Sequence, residues 1–315
     1  MPHLSHALEQ AIVRLTAAGQ PWYTERQLYY EVCRVLRPLP HPAIILAGGG
    51  LAASVPLLLA HHHPRLASLL ATGTVLTTGT CYLARWWPAT RPVPLEWADF
   101  QAALQAYRTQ VVNPHRLLPP APPVPLATAA TVPDLFDYGL PRLLVCQHTA
   151  IAQMLLANLV HMEARCLILD VTTASPLPAT VKQMLTRADA ARILVLHDAS
   201  RSGLALMKGV RQRLDAPAGI PIRSIGLRPI HAQRLHLFAI REQISPIPPG
   251  IEFHGLPIRE QTWLQHGWSA EIAAVRPAHL LRALRRIIIG APVPTRPTFD
   301  LRRERTIGFM TWPDR

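Results

Sequence analysis

Three short apolar runs and a fourth strand-length stretch, spaced by helix-patterned chain, constrain this sequence more than any other feature. Leu143-Leu144-Val145-Cys146, Cys166-Leu167-Ile168-Leu169-Asp170, Ile193-Leu194-Val195-Leu196-His197 and the stretch from Ile220 to Ile225 all have strand length. Helical spacing follows the first three, over Thr149 to His161, about Ala179 to Arg187, and Gly203 to Leu214. Strands covered on both faces need unbroken apolar runs, so this alternation predicts a mostly parallel sheet sandwiched by helices. Chemistry in such a sheet gathers at the carboxyl ends of the strands.

The N-terminal segment is patterned differently. Apolar residues at positions 4, 8, 11, 12 and 15 predict a helix with Ser5 as its N-cap and Gly19 beyond its end. Thr24 is the expected N-cap of a second helix from about Glu25 to Leu36, which Pro38 stops. Two short helices across a tight turn suit a helix-turn-helix or winged-helix-like module. On the second helix Arg26 and Tyr30 are four apart and share a face. A phenol attacking a phosphodiester needs a fixed cation to meet the developing charge, and a guanidinium one turn away supplies it. The same spacing also fits an ordinary amphipathic helix whose Tyr side chains pack against a neighbour.

Residues 43–60 and 66–84 contain no charged side chain, and only His61-His62-His63-Pro64-Arg65 separates them. Each approaches the roughly 20 apolar residues that cross a bilayer, which predicts a transmembrane helical hairpin over 41–88. A buried hairpin inside a large core is the alternative. Arg34 and Arg37 before the hairpin, with Arg85 and Arg91 after it, would place both chain ends in the cytoplasm, at the cytoplasmic membrane. The three consecutive His residues cannot all face one ion from a regular helix and read as a solvated loop.

Residues 89–137 read as a Pro-rich linker holding one short helix, Leu95 to Tyr107. The domain plan is thus a helical module over 1–40, the hairpin over 41–88, the linker, an α/β domain over 138–290 and a basic tail over 291–315. The four Cys residues show no paired spacing and read as reduced, buried thiols. No secretory leader pattern opens the chain. The formal net charge of +13 and pI near 10.7 favour a polyanionic partner, either DNA or an anionic membrane face. Arg282, Arg285 and Arg286 crowd the last helix, where they would contact phosphates or solvate its outer face.

Several of these stretches resemble one family. Thr24-Glu25-Arg26-Gln27-Leu28-Tyr29-Tyr30 resembles the T-[KR]-R-[DE]-[IL]-Y-Y signature of topoisomerase VI A subunits and the related meiotic break-forming transesterases. The turn His197-Asp198-Ala199-Ser200-Arg201-Ser202-Gly203 resembles the D-x-D-x-x-G turn of their Toprim domains. Ser224-Ile225-Gly226-Leu227-Arg228-Pro229 is similar to their W-I-G-L-x-P strand and turn. Gly267-Trp268-Ser269-Ala270-Glu271-Ile272-Ala273-Ala274-Val275 is similar to G-x-K-x-E-L-E-A-L. The matches keep the family's order and cover roughly 5–37 and 138–290.

The resemblance implies a winged helix followed by a Toprim-like parallel α/β domain, with Tyr30 as nucleophile for a 5′-phosphotyrosyl link and Arg26 as its partner. It further implies a homodimer, an ATPase partner of the topoisomerase VI B type, and Mg2+ held by two Asp and a Glu. Here Asp198 keeps the first Asp, Ser200 stands at the second and Gln147 at the Glu, while Asp170 is a further acid at a strand end. One family carboxylate of three makes a weak metal site. The expected function is a membrane-tethered DNA-binding protein on this scaffold, with metal-dependent cleavage weakened or lost. The alternative is an active DNA transesterase acting through Tyr30.

Overall fold

The computed structural model describes residues 2–17, 20–37, 90–110, 114–120, 141–172, 174–188, 191–242 and 255–289. In chain order the elements are α1 (Pro2–Thr16), α2 (Glu25–Leu36), β1 (Arg91–Pro92), α3 (Trp97–Gln110), β2 (Arg142–Cys146), α4 (Thr149–Ala157), α5 (Val160–Ala164) and β3 (Cys166–Asp170). They continue with α6 (Ala179–Arg187), β4 (Arg192–Leu196), α7 (Arg201–Leu214), β5 (Ile222–Ser224), α8 (Pro229–Arg234), β6 (Phe238–Arg241), α9 (Ile258–Gln265) and β7 (Trp268–Ser269). A 3-10 turn (Ile272–Ala274) and α10 (Pro277–Ile289) complete the described chain.

A four-stranded parallel sheet in the order β3-β2-β4-β5 forms the centre. Leu144 faces Ile168 on one neighbour and Leu194 on the other. Because side chains alternate across a strand, each apolar run feeds two cores. Leu144, Cys146, Ile168, Leu194 and Leu196 join one cluster, and Leu143, Val145, Leu169, Ile193 and Val195 join the other. Helices α6 and α7 cover the second cluster through Val181, Met184, Leu185, Leu206, Val210 and Leu214.

The first cluster is larger, because the N-terminal helices and α10 enter it as well. Its flank carries a small second sheet, β1-β6-β7, in which β1 runs parallel to β6 and β7 antiparallel to it. Paired backbone bonds between Ala199 and Ala270, at 2.9 and 3.0 Å, tie this part to the end of β4. Residues 90–110, expected as linker, also belong to this core: β1 pairs with β6, and α3 buries Phe100 and Leu104.

The expected fold class is corrected in its membrane hairpin. Among the described residues no helix is long and apolar enough to cross a membrane. The longest, α1 at 15 residues, is amphipathic. Residues 41–88, where the hairpin was expected, lie outside the described residues, as do the three-His connector and the tail over 291–315.

A second correction concerns the setting of α2. Its start is as expected: the Thr24 hydroxyl accepts from the Gln27 amide at 3.2 Å, and the Gln27 side chain accepts from the Thr24 amide at 3.0 Å. Yet α2 is not a surface helix of a separate module. Seven consecutive residues, Gln27 to Cys33, are buried, because α1, α3 and the 3-10 turn surround it.

Candidate functional site

The carboxyl edge of the main sheet gathers the expected acid positions. At the end of β2 the Gln147 side chain turns toward β4 and accepts from the Asp198 amide at 2.9 Å, and its amide group lies 3.4 Å from the Ser202 hydroxyl. Ser200 caps α7, its hydroxyl accepting from the Gly203 amide at 3.0 Å. Helix α7 comes so close to the strand end that a Cβ on Gly203 would lie 2.4 Å from the Asp198 carbonyl oxygen. Asp170 ends the neighbouring strand, and one of its oxygens accepts from the Thr172 amide at 2.9 Å and from the Thr172 hydroxyl.

Asp198 is buried and already engaged on both oxygens. Its Oδ1 accepts from the Ile272 amide at 2.7 Å, and its Oδ2 lies 2.6 Å from His148 Nε2. Burial opposes a charge on His148, but the bond to Asp198 and the charges of Asp198 and Glu271 outweigh it and raise the imidazole above its ordinary value. His197, one residue before Asp198, is buried and held neutral: burial lowers it. Its Nδ1 donates to the Asp198 carbonyl at 2.8 Å, so its Nε2 accepts from the Ser224 hydroxyl at 2.7 Å.

These residues do not fit a magnesium ion, which asks for near-octahedral oxygen ligation. Both Asp198 oxygens are taken by protein donors, Gln147 points its carbonyl at an amide, and Ser200 is spent on the helix cap. Among the described residues no group of three or more His, Cys, Asp or Glu side chains is placed to hold a metal.

Tyr30 is not where a nucleophile must be. It is 0% exposed, packs edge-on against Tyr29 at 5.1 Å, and its hydroxyl has no hydrogen-bond partner. Burial first, and then the nearby charge of Glu271, push the phenol well above its ordinary value. Arg26 faces a different partner from the one expected: it makes a two-bond pair with Glu271, at 2.7 and 2.6 Å. Its guanidinium also lies 4.4 Å from the Trp97 ring centre. The expected pairing of a Tyr30 nucleophile with an Arg26 cation is therefore corrected: Tyr30 lies in the core and Arg26 is taken by Glu271.

A second group lies on α10. Leu280, Leu281, Ala283, Leu284 and Ile288 point into the core, whereas Arg282 and Arg286 are exposed. Arg285 is paired with Glu163 of α5. Sequence reasoning missed His148, the role of Glu271, and Arg276 with His279 on the exposed face of α10. Compared with models of protein families, with curated proteins and with solved structures, the chain matches none of them.

Proposed function

We propose that this chain is a DNA-binding protein that holds nucleic acid through phosphate contacts and does not cut it. The observation that carries this reading is how the charge is distributed. Glu25, Glu31, Glu163, Glu260 and Glu271 are each matched by a guanidinium. The net surplus of +13 therefore rests on basic side chains beyond those pairs. A surplus of arginine favours phosphate, whose oxygens the planar guanidinium meets with two parallel bonds.

The absence of cutting is inferred from Tyr30. An attacking phenol must reach the phosphorus and lose its proton, and a fully buried hydroxyl with a raised pKa opposes both. Tyr30 instead serves as a core side chain.

Fluorescence anisotropy of a labelled duplex with the full chain tests the binding. Affinity is expected to fall at least about tenfold between roughly 50 and 200 mM salt, as counterion release requires. Absent or salt-indifferent binding overturns the reading. Incubation with supercoiled plasmid and magnesium tests the second half, with no covalent adduct expected. Tyr30→Phe should leave binding unchanged and stability equal or up by about 1 kcal/mol, because it removes a buried hydroxyl that has no partner. A covalent adduct lost in that variant would show that the chain does cut.

A further inference from the structure

We infer that the exposed face of α10, extended by Arg276 and by Arg14 of α1, is the surface on which a DNA duplex lies, gripped by its phosphates without regard to sequence. This rests on the DNA-binding reading above and assigns it a place.

The face is built by helical spacing. Arg276 stands just before α10, and His279, Arg282 and Arg286 follow on the side opposite the buried leucines; all four are exposed. With a rise of about 1.5 Å per residue, Arg282 and Arg286 are about 6 Å apart along the axis. That is close to two phosphate steps along one duplex strand, at about 3.4 Å per charge. From Arg276 to Arg286 the stripe runs about 15 Å.

Its charge is of one sign. Glu31 lies behind the stripe with its side chain 3% exposed, and it is shared by Arg14, Arg34 and Arg276. Three guanidiniums thus share one hidden carboxylate, Arg282 and Arg286 add two exposed ones beside them, and Arg285 and Glu163 cancel at the flank. His279, exposed at the residue level but with its ring partly desolvated, is lowered first by that desolvation and then by the charges of Arg276, Arg282 and Arg34.

The surface suits a duplex better than a single strand. Proteins that hold single strands stack bases on exposed aromatic rings. Among the described residues the exposed large apolar side chains include one aromatic, Trp22, which stands on the segment between α1 and α2 and not on α10. Contacts to phosphate position a protein but carry no sequence information.

The test compares two charge-matched double variants of the full chain, checked for unchanged thermal melting. Arg282→Ala with Arg286→Ala removes two charges from the stripe. Arg187→Ala with Arg213→Ala removes two exposed charges from α6 and α7, on the other face of the sheet. With a random-sequence duplex at roughly 100 mM salt, the stripe variant is expected to bind about tenfold more weakly, with its salt slope reduced by about 2. The control should lose less than about threefold. Equal losses in both, or none in the stripe variant, overturn the assigned face while leaving DNA binding standing. If the unmodified chain binds no duplex, both readings fall. If it binds vesicles of phosphatidylserine and phosphatidylcholine through Arg282 and Arg286 but no duplex, a lipid surface replaces DNA.

Discussion

Glu31 shows how one residue holds the N-terminal helices to α10. Its carboxylate, 3% exposed, lies 2.6 Å from Arg34, 3.3 Å from Arg276 and 3.8 Å from Arg14. Arg34 is itself largely buried, so its charge depends on this partner, whereas Arg14 and Arg276 are half-exposed and can turn to water. Removing one member of a buried pair costs more than the pair contributes, because the other charge is left without compensation. Glu31→Ala should therefore lower the unfolding free energy by about 3–5 kcal/mol, read by urea titration at neutral pH. Arg14→Ala should change it by less than about 1 kcal/mol. Equal costs for the two would mean that Arg34 is not the group Glu31 serves.

At the scale of elements, the end of β4 is where the backbone comes closest to its neighbours. A Cβ on Gly226 would lie 2.4 Å from the His197 carbonyl oxygen and 2.5 Å from its ring. The loop after β5 is held there by the Leu227 amide donating to the same carbonyl at 2.8 Å. Backbone cannot give way as a side-chain tip does, so Gly226→Ala should cost about 1–3 kcal/mol by overpacking, measured as a shift in the urea midpoint. Gly209→Ala, with open space around it, should not. Strands β2, β3 and β4 were legible because burial on both faces leaves an unbroken apolar run, and α2 because Thr24 and Gln27 form a capping box. The break between α4 and α5 was not, since Leu159 takes the left-handed conformation at φ 58 without a Gly or Pro to mark it. Strands of two to four residues such as β1 and β7 are too short to show a period. The pairs Arg26–Glu271 and His148–Asp198 join residues 245 and 50 apart, a distance over which local pattern carries no information. Local pattern also does not show that Tyr30 is enclosed, because its polar neighbours Gln27 and Glu31 are themselves buried, with partners inside the core.

For the whole molecule, histidines buried in the neutral state set the response to acid. His197 is lowered by burial, and His231 is lowered to about 2, first by burial and then by Arg228 and Arg234. The geometry agrees for His231, whose Nδ1 accepts from the Arg228 amide at 3.3 Å. Both groups bind a proton more weakly in the fold than in the unfolded chain, where the ordinary value is about 6.5. Above that pH neither state is protonated and their contribution is fully present. Below it the unfolded chain takes up protons that the fold refuses, so stability declines as pH falls, by up to about 1.4 kcal/mol per unit for each group. His148 is raised and works in the opposite sense: its contribution is present below the ordinary value and is lost as pH climbs through the raised one. Urea midpoints should therefore drop on going from neutral pH to about 5, before carboxylates begin to titrate. In His231→Gln the side-chain oxygen can still accept from the Arg228 amide but takes no proton, so the drop should be visibly shallower. A drop of equal steepness in that variant would mean that His231 is not a source of the acid sensitivity.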